Sequence, residues 1–270
     1  MLNDITFGQY YDSNSVLHRL DPRTKLCSLL IILVFLFLIN NIIGIVFGAL
    51  FVVSLILLSK VPFKMYLKNI KAIWVIIVFT SVMNLFYSTQ KSHVLVQFWK
   101  LTITESGLNR AVLMSVRIIL LVLISSILTY VTTPNDLTDG IESLLKPLKF
   151  IGLGGVVHTL AMMTTIALRF IPTLVRETEK IMNAQKARGA DIDDGKLGDR
   201  IKALIPILIP LLISSVRRAY ELAEAMECRC YNGGVGKQRM KQLKMSSKDL
   251  WAFCVTLLFC GAVIILRVIF

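Results

Sequence analysis

Five predominantly apolar runs organise the chain, at 26–39, 42–58, 72–87, 111–131 and 250–270, with charged and turn-forming residues between them. An α-helix needs about 20 predominantly apolar residues to cross the hydrocarbon core of a bilayer, so these runs are read as about five transmembrane helices. Residues 1–25 are polar and close with Asp21, Pro22, Arg23, Thr24 and Lys25 at the edge of the first run, which makes them a cytoplasmic lead-in. Asn40 and Asn41 leave room only for a tight turn, so the first two helices form a hairpin. Gly44 and Gly48, four apart in the second, predict close helix packing. Lys60, Lys64, Lys68 and Lys71 follow with no acidic residue among them, and by the positive-inside rule this loop is cytoplasmic. The segment 88–110, holding Lys91, Lys100, Glu105 and Arg110, is then external. Arg117 lies within the fourth run, where an ion costs roughly 2.5–3.5 kcal/mol on insertion scales, and it is read as snorkelling to the near interface.

From 132 to 248 the pattern changes, because 18 of the 30 Lys and Arg residues and 12 of the 17 acidic ones fall there. This region is read as cytoplasmic helices. Thr133 and Pro134 start one, with Asp136, Asp139 and Glu142 early and Lys146 and Lys149 late, the order a helix dipole favours. Gly152, Leu153, Gly154 and Gly155 end it. Two longer helical patterns follow, about 156–188 and 196–229, each on the order of 50 Å long at 1.5 Å per residue. Gly189 and a turn at Asp191, Asp193 and Asp194 separate them. Their apolar parts, 150–168 and 203–216, are rival spans. A crossing at 150–168 would place Arg176, Lys180, Lys186, Arg188, Lys196, Arg200 and Lys202 outside. The second part is short and holds Pro206 and Pro210. The organisation is therefore 1–25 cytoplasmic, 26–131 four transmembrane helices, 132–248 a cytoplasmic module of long helices, and 249–270 a last span ending outside. The fold class is all-α and polytopic.

Composition agrees with a bilayer as solvent: 55% of residues are hydrophobic and 17% charged, with a mean hydropathy of +0.70. The net charge of +13 belongs to loops beside apolar runs, which the positive-inside rule produces without nucleic acid. Cys27, Cys254 and Cys260 lie within or beside apolar runs and Cys228 and Cys230 form a tight pair, which is no disulfide framework. The first run has no small-residue cleavage site after it and is retained as a span.

No nucleotide-binding loop of the form GxxxxGK[ST] exists, since neither Gly195 nor Gly236 has a glycine five positions earlier. The chain is not itself the ATPase of a transport system. His18, His93 and His158 are isolated, so spacing indicates no metal site and no nucleophile–base pair. The pair Cys228 and Cys230 lacks the second pair that zinc would need.

What stands out is an echo between the two long cytoplasmic helices. Ala187, Arg188, Gly189 end the first and Cys228, Arg229, Cys230 end the second, 41 positions apart. An arginine in a last helical turn complements the negative end of the dipole, by roughly 0.3–1 kcal/mol. Its small neighbours also leave the guanidinium free to fork onto a carboxylate of another protein. Physics alone leaves the helix-end and docking readings open.

Further stretches bear on the choice: Ser15 to Leu26 (SVLHRLDPRTKL), Leu168 to Pro172 (LRFIP) running on to Ala184 to Gly189 (AQKARG), and Arg218 to Ala223 (RAYELA) running on to Ala225, Met226 and Glu227. In this order they resemble the transmembrane T component of energy-coupling factor (ECF) importers over nearly the whole chain. That resemblance implies uptake of vitamins or other micronutrients across the bacterial plasma membrane. It implies docking of the two arginine motifs, Arg188 with Ala187 and Gly189 and Arg229 with Cys228 and Cys230, on two ATP-binding subunits. Arg169, Pro172, Arg218 and Glu227 would support these coupling helices, and a separate small membrane protein would capture the substrate. The chain would bind no cofactor; ATP and Mg would be held by its partners. Cysteine in place of the usual residues around Arg229 resists the left-handed conformation, which predicts that the second helix ends later, at Asn232, Gly233 and Gly234. A secondary transporter would need ionisable residues within the spans, of which only Arg117 qualifies. A membrane-embedded enzyme would need clustered His, Asp or Glu, for which the Asp191, Asp193, Asp194 turn is the only candidate.

Overall fold

The computed structural model of the chain describes residues 10–86, 94–98, 101–147, 152, 154–189, 197–232, 243 and 245–269. Eight helices and one short hairpin are found among them: α1 (Pro22–Leu38), α2 (Ile42–Ser59), α3 (Phe63–Phe86), β1 (Val94–Phe98), β2 (Leu101–Thr104), α4 (Glu105–Val131), α5 (Pro134–Leu145), α6 (Gly154–Ala187), α7 (Leu197–Cys228) and α8 (Ser247–Ile269). They divide into two compact units, one of Gly8–Gly140 with Gln242–Phe270 and one of Met1–Phe7 with Ile141–Lys241.

In the first unit α1, α2, α4 and α8 share one core. Leu36, Val52, Leu120 and Phe259 are buried there, and Phe259 stacks on Phe51 at 4.1 Å between ring centroids. The α1–α2 hairpin closes as the glycines predict. A Cβ on Gly44 would lie 2.8 Å from Ile39 Cγ2, so a side chain there would force a shift, and one on Gly48 would lie 3.1 Å from Leu36 Cδ2, a tight contact. Within a bilayer, lipid tails are as apolar as these branched side chains, so close van der Waals packing rather than exclusion of water holds the helices together. On the other side, α3 packs on α4 around Tyr66, whose ring meets Tyr130 edge-on at 5.2 Å and whose hydroxyl pairs with Ser59 Oγ at 3.0 Å.

Three features of this unit differ from the sequence expectation. Lys64, Lys68 and Lys71 stand on the first turns of α3 rather than in a loop, because lysine is a good helix former and nothing after Pro62 breaks the backbone. The segment expected outside carries the antiparallel β1–β2 hairpin, with Val96 opposite Ile103; its β-branched residues favour that pairing. Lys91 and Lys100 lie outside the described residues. Arg117 does not snorkel. It is 8% exposed, and its Nη2 donates to the Ile39 carbonyl and to Asn40 Oδ1 at 3.4 Å. A helix C-terminus leaves carbonyls without partners, and a guanidinium satisfies them while keeping its charge off the lipid.

From residue 10 onward the N-terminal lead-in is pinned to the first unit by hydrogen bonds. Tyr11 N–H donates to the Tyr130 carbonyl at 3.0 Å, and Ser13 Oγ to the Ser59 carbonyl at 3.1 Å. His18 Nε2 donates to the Tyr11 carbonyl at 2.8 Å and Nδ1 accepts from Ser15 Oγ at 2.7 Å, a tautomer fixed by the carbonyl, which can only accept. Asp249, 4% exposed, accepts from the Asp21 N–H and from the Ser246 N–H, both at 2.7 Å. One carboxylate thus caps α8 and ties the start of α1 to it.

The second unit holds α6 and α7, with Glu142 of α5 joined to His158 Nδ1 of α6 at 3.0 Å. By length and composition six helices among the described residues could cross a membrane, namely α2, α3 within Phe63–Leu85, α4 within Gly107–Val131, α6, α7 within Ala203–Cys228, and α8. The sequence reading of α6 and α7 as extramembrane helices therefore rests on charge placement, since length does not separate them from spans. At 17 residues, α1 is shorter than any of the six.

Candidate functional site

The candidate site consists of the two C-terminal ends in the second unit. In α6 the last helical residue is Ala187. Arg188 N–H is shared between the carbonyls of Ala184 at 3.2 Å and Gln185 at 3.1 Å, and Gly189 N–H donates to Lys186 at 3.0 Å. Gly189 has φ +85°, the left-handed conformation that stops a helix without a Cβ penalty.

The end of α7 has the same construction, which corrects the expected later stop at Asn232. Its last helical residue is Cys228, and Cys230 itself adopts φ +53°. Cys230 N–H donates to Glu227 at 2.8 Å and Tyr231 N–H reaches back to Met226 at 3.1 Å. This paired closure satisfies two terminal carbonyls, and those bonds offset the roughly 1–2 kcal/mol that a left-handed residue with a side chain costs. Each arginine therefore occupies the same place relative to its helix end, with a left-handed residue immediately after it. Ala187, Arg188, Gly189, Cys228, Arg229 and Cys230 are all exposed.

The contacts between the helices run in opposite directions. Glu177 accepts from Ser214 Oγ and from Arg218 Nη2, both at 2.5 Å, and nearer the end of α6 Gln185 Nε2 donates to the Pro206 carbonyl at 3.5 Å. Rising numbers in α6 meet falling numbers in α7, an antiparallel pairing that carries Arg188 and Arg229 to opposite ends. From Glu177 the α6 axis runs on to Arg188 for about 16 Å at 1.5 Å per residue, and α7 runs about 20 Å the other way from the contact to Arg229.

Residues 13–242 match the family described as CbiQ, cobalt transport protein. A protein of Ruminiclostridium cellulolyticum named energy-coupling factor transporter transmembrane protein EcfT is 48% identical over 270 residues, covering the whole of both chains. The chain belongs to this family. Proteins of the same name from Clostridium kluyveri, 48% identical over 98% of this chain and 97% of the relative, and from Bacillus subtilis, 41% identical over 92% and 93%, are similar along nearly their full lengths. It is thus an ECF-type transmembrane component, a multi-pass protein of the bacterial plasma membrane.

The remaining residues that the sequence singled out in this T-component chain fall into different settings. Arg218 is held by Glu177, so it joins α6 to α7. Pro172 sits inside α6, where its ring removes a backbone donor, and its carbonyl accepts from Arg176 Nε at 3.3 Å. Glu227 is exposed and contributes through its backbone carbonyl, while Arg169 is exposed on α6. Glu177 and Ser214 were not anticipated. Their signal was faint, a hydroxyl near the end of the apolar stretch 203–216 and a carboxylate in the charged part of α6 beyond its apolar stretch. Among the described residues no cluster of His, Cys, Asp and Glu could hold a metal ion. The turn at Asp191, Asp193 and Asp194 lies outside the described residues.

Proposed function

We propose that this chain is the coupling subunit of an ECF-type ATP-driven importer for vitamins or related micronutrients. It links two ATPase subunits, which hold ATP and Mg, to a separate small membrane protein that binds the substrate. The observation that carries this reading is the pair of helix ends, each presenting an exposed arginine just before a left-handed residue, set at opposite ends of one antiparallel pair. Two equivalent plugs facing apart suit two equivalent sockets, and an arginine entering an acidic pocket gains a bidentate, charge-assisted contact.

In this mechanism α6 and α7 are cytoplasmic, as the basic residues around them favour under the positive-inside bias. Closure of the ATPases on nucleotide pulls the two arginine ends, the Glu177–Arg218 contact makes the helices respond together, and the motion shifts the substrate-binding protein against the spans. The chain contributes positioning and force transmission rather than covalent chemistry. Arg117 is engaged in capping α1 and is therefore not a free ion-coupling group, which weighs against the secondary-transporter reading.

The test is to isolate the tagged chain from its native membranes in mild detergent. Wild type should retain two ATPase subunits and a small membrane protein. Arg188→Ala and Arg229→Ala should each weaken ATPase retention, since truncating one partner of a buried charged pair costs about 2–5 kcal/mol. A double variant with unchanged uptake and ATPase retention would overturn the docking assignment.

A further inference from the structure

In the first unit the N-terminal ends of α1 and α8 meet the C-terminal end of α4, joined by the Asp21–Asp249 contact at 2.7 Å and by Lys25 Nζ donating to the Val131 carbonyl at 3.1 Å. These three ends therefore lie at one face of the membrane. Between them and α2 opens a cavity of about 620 Å³, well within the size range of sites that take small ligands. Its wall is almost wholly apolar, with Leu29, Ile32, Phe51, Leu55, Ile124 and Val255 among the lining residues. Beside the neutral Asn14, Ser15, Ser28 and Thr256, its charged lining is wholly cationic: Arg19, Lys25 and Lys248 border it.

Lys25 is already engaged with two carbonyls. Arg19 and Lys248 are exposed, and neither side chain has a hydrogen-bond or ion-pair partner among the described residues. Trp251, 71% exposed, borders the same cavity, as expected for an aromatic at a membrane interface. An apolar wall rules out a small hydrophilic anion as the main occupant, because most of its surface would lose hydration without compensation. An uncharged acyl chain or apolar peptide would leave both cations without counter-charge.

We propose that this cavity binds one anionic phospholipid, with an acyl chain along the apolar wall and the phosphate held by Arg19 and Lys248. Basic pockets between transmembrane helices recognise lipid headgroups in this way. The inference needs only that the chain sits in a membrane. It is independent of the coupling function and is tested without ATPases.

The experiment uses the full chain in lipid vesicles, with Trp74→Phe and Trp99→Phe so that Trp251 alone fluoresces. Quenching by phosphatidylglycerol with brominated chains is compared with quenching by equally brominated phosphatidylcholine. Phosphatidylglycerol should be preferred by about fivefold for each cation that reaches its phosphate. Arg19→Gln with Lys248→Gln should bring the two lipids to parity. Ala252→Phe, which fills the cavity and keeps both cations, should remove the preference as well. Equal quenching in the unmodified site, or a preference that survives either variant, would overturn the proposal. Inorganic phosphate should leave the preference intact when compared with chloride at equal ionic strength; loss of the preference to phosphate alone would assign the site to a free anion instead.

Discussion

Cys230 occupies a left-handed backbone position without being glycine, while its counterpart Gly189 meets the same demand with no side chain. Cys230→Gly should therefore steady the end of α7 by about 1 kcal/mol, and Cys230→Val should loosen it, because a β-branched side chain clashes most there. Slower amide hydrogen exchange over the last turn of α7 in the glycine variant, and faster exchange in the valine variant, would be the readout. Asp249 is a second residue whose importance the sequence hides. Its two oxygens each accept a backbone N–H at 2.7 Å from different parts of the chain. Asp249→Asn keeps one acceptor and turns an NH₂ toward the other donor, so thermal unfolding in detergent should show a loss of about 1–3 kcal/mol. Ser246 and Asp249 match the capping-box spacing, a sign of the helix start that is visible in the sequence. The tie to Asp21, 228 positions away, is not.

Among the helices, α1 and α2 depend on close approach and α6 and α7 on a few polar contacts. Gly44→Leu would drive its side chain into Ile39, and overpacking of this kind costs about 1–3 kcal/mol, measurable as a lowered midpoint of thermal unfolding. Gly261→Ala on α8 is the matched control. Nothing lies within 4 Å of a Cβ there, so the midpoint should hold or rise slightly. The two glycines were legible as a packing signal from their spacing, yet which helix they approach depends on the turn at Asn40 and Asn41. Helix boundaries were legible to within a few residues in α2, α6 and α7 because cap residues and charge mark them. The start of α3 was misread, since lysines beside an apolar run resemble a loop until the backbone is seen to continue through them.

At the level of the molecule, the proposed topology puts the ends of α6 and α7 on the cytoplasmic side. A variant of the isolated chain keeping Cys230 as its sole cysteine should react with a membrane-impermeant maleimide in inside-out vesicles and not in intact cells; labelling in intact cells would reverse the topology. The apolar runs and the placement of lysine and arginine already determined a polytopic helical protein, because insertion and charge bias act on local composition, while the ECF transmembrane family was legible only as a resemblance carried by stretches such as SVLHRLDPRTKL and AQKARG. Only the tertiary structure decided where Arg117 turns, since snorkelling and capping a neighbouring helix are equally compatible with an arginine inside an apolar run. It likewise decided that α6 and α7 pair antiparallel through Glu177, and that Arg19, Lys248 and Trp251 border one cavity. These are contacts between residues far apart in the chain, and local composition carries no information about which distant partner satisfies a buried charge.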